Sequence, residues 1–74
     1  MKKYQMTANY KKLWKLLIDR DMKKKDLAEI AGISNTSVAK IGRNENVTMD
    51  VLVKICTALK CDIGDIVEII SDEE

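Results

Sequence analysis

Few side chains in this 74-residue chain could do chemistry, and most of those that could are lysines. Lys23, Lys24 and Lys25 form an unbroken run. At the start of a helix, where backbone N–H groups also point outward, such a run can hold an anion; on its own a solvated face is its commoner meaning. The chain has no His, which removes the usual imidazole base, the His-containing triads and His-ligated metals. Its two cysteines, Cys56 and Cys61, are too few for a four-Cys zinc site or a disulfide framework. Cys56 falls on an apolar helical face and reads as a small hydrophobe, whereas Cys61, at the helix end, could expose its thiol. A redox role for the pair is the alternative reading. Asp62, Asp65 and Glu68 match neither a calcium loop nor a paired acid and base; a helix cap and a solvated face account for them. With no nucleophile–base pair, metal cluster or phosphate loop, an enzyme is not expected, and neither is a cofactor or metal.

The elements that must position these groups follow from hydrophobic spacing. Tyr10, Leu13, Trp14 and Leu17 recur at i, i+3, i+4 and i+7, predicting a helix from Tyr10 to about Arg20 with Trp14 in the core. Leu27, Ala28 and Ala31 predict a second helix over 24–31, stopped by Gly32. Ser34 caps a third, which carries Val38 and Ile41 inward until about Arg43, with Asn44 suited to a left-handed exit. Thr48 caps a fourth, with Met49, Leu52, Ile55, Cys56 and Leu59 on one face. Asp62 caps a short fifth holding Ile63 and Ile66. The run from Val67 to Ile70 fits either a continued helix or a strand, and the stretch Lys3–Asn9 could pair with it. The expected fold is therefore all-α, a single domain over 1–74 built on five helices, with a short terminal strand pair as an option. The tail Ser71-Asp72-Glu73-Glu74 reads as a frayed end.

Residues 24–43, KKDLAEIAGISNTSVAKIGR, carry the most information. Two helices crossing steeply over a tight turn need a small residue at the crossing (Ala28) and no side chain in the turn (Gly32). They also need apolar residues on the concave side, here Leu27, Ala31, Ile33, Val38 and Ile41. In this register the sequence resembles the XRE family of phage-repressor-like and Cro-like helix-turn-helix proteins, over roughly residues 10–66. The likeness continues through VLVKICTAL and CDIGDIVE.

The resemblance implies that the third helix enters the major groove of double-stranded DNA. Base contacts would come from Asn35, Thr36 and Lys40, with Ser37 and Ala39 beside them. Asn can pair with adenine, Lys with guanine, and a Thr methyl can touch thymine; helix-start preference is the competing reason for Asn35 and Thr36. Phosphate contacts would come from Lys23, Lys24 and Lys25, and from Arg43, Asn44 and Thr48. The chain departs from the family pattern in two places. Lys23 and Lys24 stand where a Thr or Ser cap and a Gln are usual, and the recognition helix ends Gly42-Arg43-Asn44 where Glu-Asn-Gly is common. Gly42 weakens that last turn by up to about 1 kcal/mol relative to Ala.

The resemblance also implies a transcriptional regulator, most simply a repressor, acting as a homodimer because one recognition helix reads too few bases. Ile63, Ile66, Val67, Ile69 and Ile70 exceed what a small core needs and mark the C-terminal segment 62–70 as the dimer surface. The same surplus motivates a second reading, a protein-interaction module such as an antitoxin or anti-repressor that holds a protein partner. No run is long and apolar enough for a membrane span, and unpaired cysteines point to the cytoplasm. The formal charge of +1 conceals an asymmetry. Residues 1–43 hold eleven Lys+Arg and four Asp+Glu, net +7, whereas residues 44–74 hold two and eight, net −6. Such a split turns the basic half toward DNA and the acidic half away.

Overall fold

The computed structural model describes residues 6–71. The elements run β1 (Met6–Asn9), α1 (Lys11–Asp19), α2 (Lys24–Ala31), α3 (Asn35–Gly42) and α4 (Met49–Leu59). A single 3-10 turn (Ile63–Asp65) and β2 (Glu68–Ser71) complete the order. There are thus four α-helices among the described residues, not five. The Asp62-capped segment makes one 3-10 turn and stops, because the β-branched run beyond it pairs with β1 instead of continuing. β1 and β2 are antiparallel, with Thr7 opposite Ile70 and Ala8 opposite Ile69. The strand option for residues 67–70 therefore holds from Glu68 onward. Of the proposed partner stretch, Lys3, Tyr4 and Gln5 lie outside the described residues, as do Asp72, Glu73 and Glu74 of the tail.

One core joins all the helices. Tyr10, Leu13, Leu17, Leu27, Ala28, Ala31, Ile33, Val38, Ile41, Ile55, Leu59 and Ile66 are buried, together with Ala8 from β1. Every residue expected to lock the helix pair is in that set. Two expectations of inward-facing residues are corrected. Trp14 is only half-buried, packed at the margin of the core. Met49 is 64% exposed, because the first turn of α4 overhangs the core before Ile55 and Leu59 reach it.

Each of the four helices ends in the same way. A residue in the left-handed region follows or nearly follows the last turn: Asp21 (φ 55°), Gly32 (68°), Asn44 (57°) and Lys60 (55°). The next N–H then reaches back over five residues. Met22 donates to the Leu17 carbonyl at 2.9 Å, Ile33 to Ala28 at 3.1 Å, Glu45 to Lys40 at 2.9 Å and Cys61 to Cys56 at 3.1 Å. This is the Schellman closure, which satisfies carbonyls the helix leaves free and turns the chain sharply. Only at Gly32 is the conformation free of a side-chain penalty.

Candidate nucleic-acid interface

The site is built on α3. Ser34 precedes it in an extended conformation, and its hydroxyl accepts the Ser37 N–H at 3.1 Å while donating to the Ser37 hydroxyl at 3.1 Å. The capping role of Ser34 is therefore real, and Ser37 is partly committed to it. Val38 and Ile41 anchor the inner face of α3 in the core. That leaves Asn35, Thr36, Ala39 and Lys40 exposed on the outer face, with Ser37 half-buried beside them. Neither Asn35 nor Thr36 supplies the cap; both lie in the first turn of α3.

The lysine run borders this face. Lys23 stands at the N-cap of α2, where a Ser or Thr would normally accept a backbone N–H. Lys has no acceptor, and half of the job is done from the other side: the Asp26 carboxylate accepts the Lys23 N–H at 2.9 Å. Lys24 and Lys25 line a shallow cleft with Asn35, Val38, Ala39 and Gly42. The structure thereby brings two of the predicted phosphate lysines against the predicted reading helix. Lys24 is also held: its ammonium lies 4.6 Å from the centre of the Trp14 ring, a cation–π contact between α2 and α1. A Cβ added at Gly42 would lie 3.6 Å from the Lys24 ammonium, an ordinary van der Waals contact, so Lys24 does not require the glycine that weakens α3.

A second cleft joins Ser37 and Lys40 to Asn46, Val47 and Thr48. Thr48 caps α4 by accepting the Val51 N–H at 3.3 Å, which leaves its hydroxyl proton free to donate. Asn46, exposed on this rim, escaped the sequence reading, since no spacing rule marks a lone loop Asn.

At the end of α3 the arrangement differs from expectation in two respects. The Arg43 Nε lies 2.6 Å from a Glu45 carboxylate oxygen, with both side chains largely exposed. Hydrogen bonding and charge hold Arg43 above its ordinary pKa, and the same guanidinium holds the Glu45 carboxyl below the usual carboxylate range. Lys40 adds to the latter effect. Asn44 takes its left-handed conformation and its Oδ1 accepts the Tyr10 N–H at 3.2 Å. Its carbonyl oxygen is thus occupied by the fold, and its amide N–H groups are the donors left for a phosphate. The Tyr10 hydroxyl donates to the Glu45 carbonyl at 3.0 Å. Buried Tyr10, whose own phenol is pushed up by burial, therefore fixes the loop behind the recognition helix to the start of α1.

The residues expected at a dimer surface divide. Ile66 is wholly buried, 0% exposed, and belongs to the core of its own chain. Ile69 and Ile70 are exposed on β2, at 62% and 38%, and Ile63 at 37%. Ile63, Val67 and Ile69 converge on a groove lined also by Ala8, Val47 and Leu52.

Residues 12–72 match the Cro/C1-type helix-turn-helix DNA-binding domain. The chain belongs to this family, the XRE class of transcriptional regulators. It is 39% identical over 61 residues to an uncharacterized HTH-type transcriptional regulator, YozG, of Bacillus subtilis (strain 168), covering 80% of this chain and 73% of that protein. The crystal structure of the transcriptional regulator VanUg superposes with a TM-score of 0.89 at 51% identity, over 97% of this chain and 96% of that one. The chain is therefore a DNA-binding transcriptional regulator domain of helix-turn-helix type, a class that is not enzymatic. In this family member, no helix among the described residues is long and apolar enough to cross a membrane.

Proposed function

We propose that this regulator is a repressor that reads an operator as a homodimer in the cytoplasm. In this reading α3 lies in the major groove, with Asn35, Thr36, Ser37, Ala39 and Lys40 at base edges. Lys23, Lys24, Lys25, Arg43, Asn44 and Thr48 hold the flanking phosphates, and the Asn46 amide joins them. The helix-turn-helix unit spans 24–43 within a single domain over 1–74. The observation that carries the reading is the cleft in which Lys24 and Lys25 meet Asn35 and Ala39 of α3. Phosphate-binding and base-reading groups must adjoin in this way for one docking to satisfy both.

Ile63, Val67, Ile69 and Ile70 form the subunit contact, with Ile66 supporting it from the core. The convergence of Ile63, Val67 and Ile69 on one apolar groove supports this, and a two-fold pair would present two α3 helices to successive major grooves, about 34–36 Å apart. Bound repressor would then occlude a promoter without any ligand pocket or catalytic group. Selection of bound fragments from a random DNA pool tests the reading. The expected product is a palindrome whose half-sites are centred about 10 base pairs apart. Recovery of unrelated sequences, or of a single half-site bound by one chain, overturns it.

A further inference from the structure

We propose that Cys56 and Cys61 form a two-thiol site for a soft, thiophilic monovalent cation of the copper(I) class. The backbone creates the pairing. Cys61 N–H donates to the Cys56 carbonyl at 3.1 Å across the left-handed Lys60, which places the two residues at the paired positions of a Schellman closure, and both line one groove. Elsewhere in the chain this closure brings together apolar or charged pairs, such as Ala28 with Ile33; at the end of α4 it brings together two sulfurs. Both cysteines are free and partly exposed. They open into a shallow groove lined also by Met49, Val53, Asp62 and Ile63, so an ion reaches them from solvent.

The donor set selects the ion. Zinc in structural sites takes four ligands, and among the described residues no group of three or more His, Cys, Asp or Glu could hold a metal. Two thiolates suit a soft cation of low coordination number, and thiolate is the ligand that copper(I) prefers. Asp62 and Asp65 lie near enough to act on Cys56 by charge. Their carboxylates are anchored on backbone N–H groups, Asp65 on Asp62 at 2.9 Å and Asp62 on Ile63 at 2.8 Å, so they contribute a fixed negative field that favours a cation. Binding forms two S–Cu bonds, breaks two S–H bonds and releases both protons to solvent. The groove shares no lining residue with the clefts around α3, but it shares Leu52 and Ile63 with the groove assigned to the subunit contact.

The test is anaerobic competition of the reduced full chain against a chromogenic copper(I) chelator, with copper(I) alone as the probe. The expected result is one ion per chain with both thiols protected from alkylation. Cys61→Val keeps the apolar contact of the closure and removes one sulfur. It should retain wild-type helicity by circular dichroism and yield its copper to the chelator. Retention by Cys61→Val or Cys56→Ser equal to wild type overturns the two-thiol site. So does one ion shared between two chains, or wild-type protein that surrenders copper as readily as the variant lacking both sulfurs.

Discussion

Arg43 and Lys24 carry the same charge at the edge of the same helix, yet the fold holds them in opposite ways. Lys24 rests on the Trp14 ring, which orients its ammonium without neutralising it. Arg43 is paired with Glu45 at 2.6 Å and must exchange that partner for a phosphate. Glu45→Gln should therefore tighten DNA binding several-fold at low salt and steepen the log–log salt dependence by about 0.9, one phosphate contact; unchanged binding in a gel-shift titration would remove Arg43 from the interface. The sign of the pH effect follows from the lowered Glu45 pKa: whatever the pair adds to stability is present above the ordinary carboxylate pKa and is lost as pH falls through the lower folded value. Residue types were legible in the sequence here, since Lys23–Lys25, Asn35 and Lys40 all reach the surface their spacing predicted. The pairings were not. Trp14 with Lys24 and Tyr10 with Asn44 and Glu45 join residues on different elements, and no periodicity within one element encodes them.

At the scale of elements, the turns decide where α3 points, and three of the four left-handed terminators are not glycine. An L side chain in that region costs roughly 1–2 kcal/mol. Lys60→Gly should relieve part of that cost and stabilise the chain by about 0.5–1 kcal/mol after the added unfolded-state entropy of glycine. Gly32→Ala should destabilise it by about 1–2 kcal/mol through backbone strain alone, because no atom lies within 4 Å of the added Cβ. Denaturant midpoints at constant m-value measure both. Tyr10→Phe, which deletes the hydroxyl that holds the Glu45 carbonyl, should cost about 0.5–1.5 kcal/mol. Helices α1 to α4 were legible to within a residue or two because each has apolar spacing and a stop signal of its own. The fifth helix failed on the same ground. One turn of three residues has no periodicity to read, and the strand that follows is specified by a partner some sixty positions away. Met49 was misplaced for a related reason, since periodicity names a face but not how far along the helix the core extends.

Over the whole molecule, the charge split that the total of +1 conceals coincides with the division of the fold. α2 and α3, with their cationic rim, lie in the basic part, whereas the apolar groove formed with β2 and the 3-10 turn takes most of its lining from the acidic part and Ala8 and Tyr10 from the basic one. Ile69→Asp, 62% exposed in the single chain, should leave helicity intact and yield a monomer by sedimentation; an unchanged dimer would place the subunit contact elsewhere. The central claim is that the α2 rim binds phosphate while the face of α3 reads bases. Titrating salt against the affinity of wild type, Lys24→Ala and Lys40→Ala for a selected operator and an unrelated fragment tests it most directly. The account predicts that Lys24→Ala weakens both DNAs alike and lowers the log–log salt slope by about 1, whereas Lys40→Ala loses about 1–3 kcal/mol on the operator alone. Equal losses on both DNAs for Lys40→Ala, with no change of slope for Lys24→Ala, would contradict it.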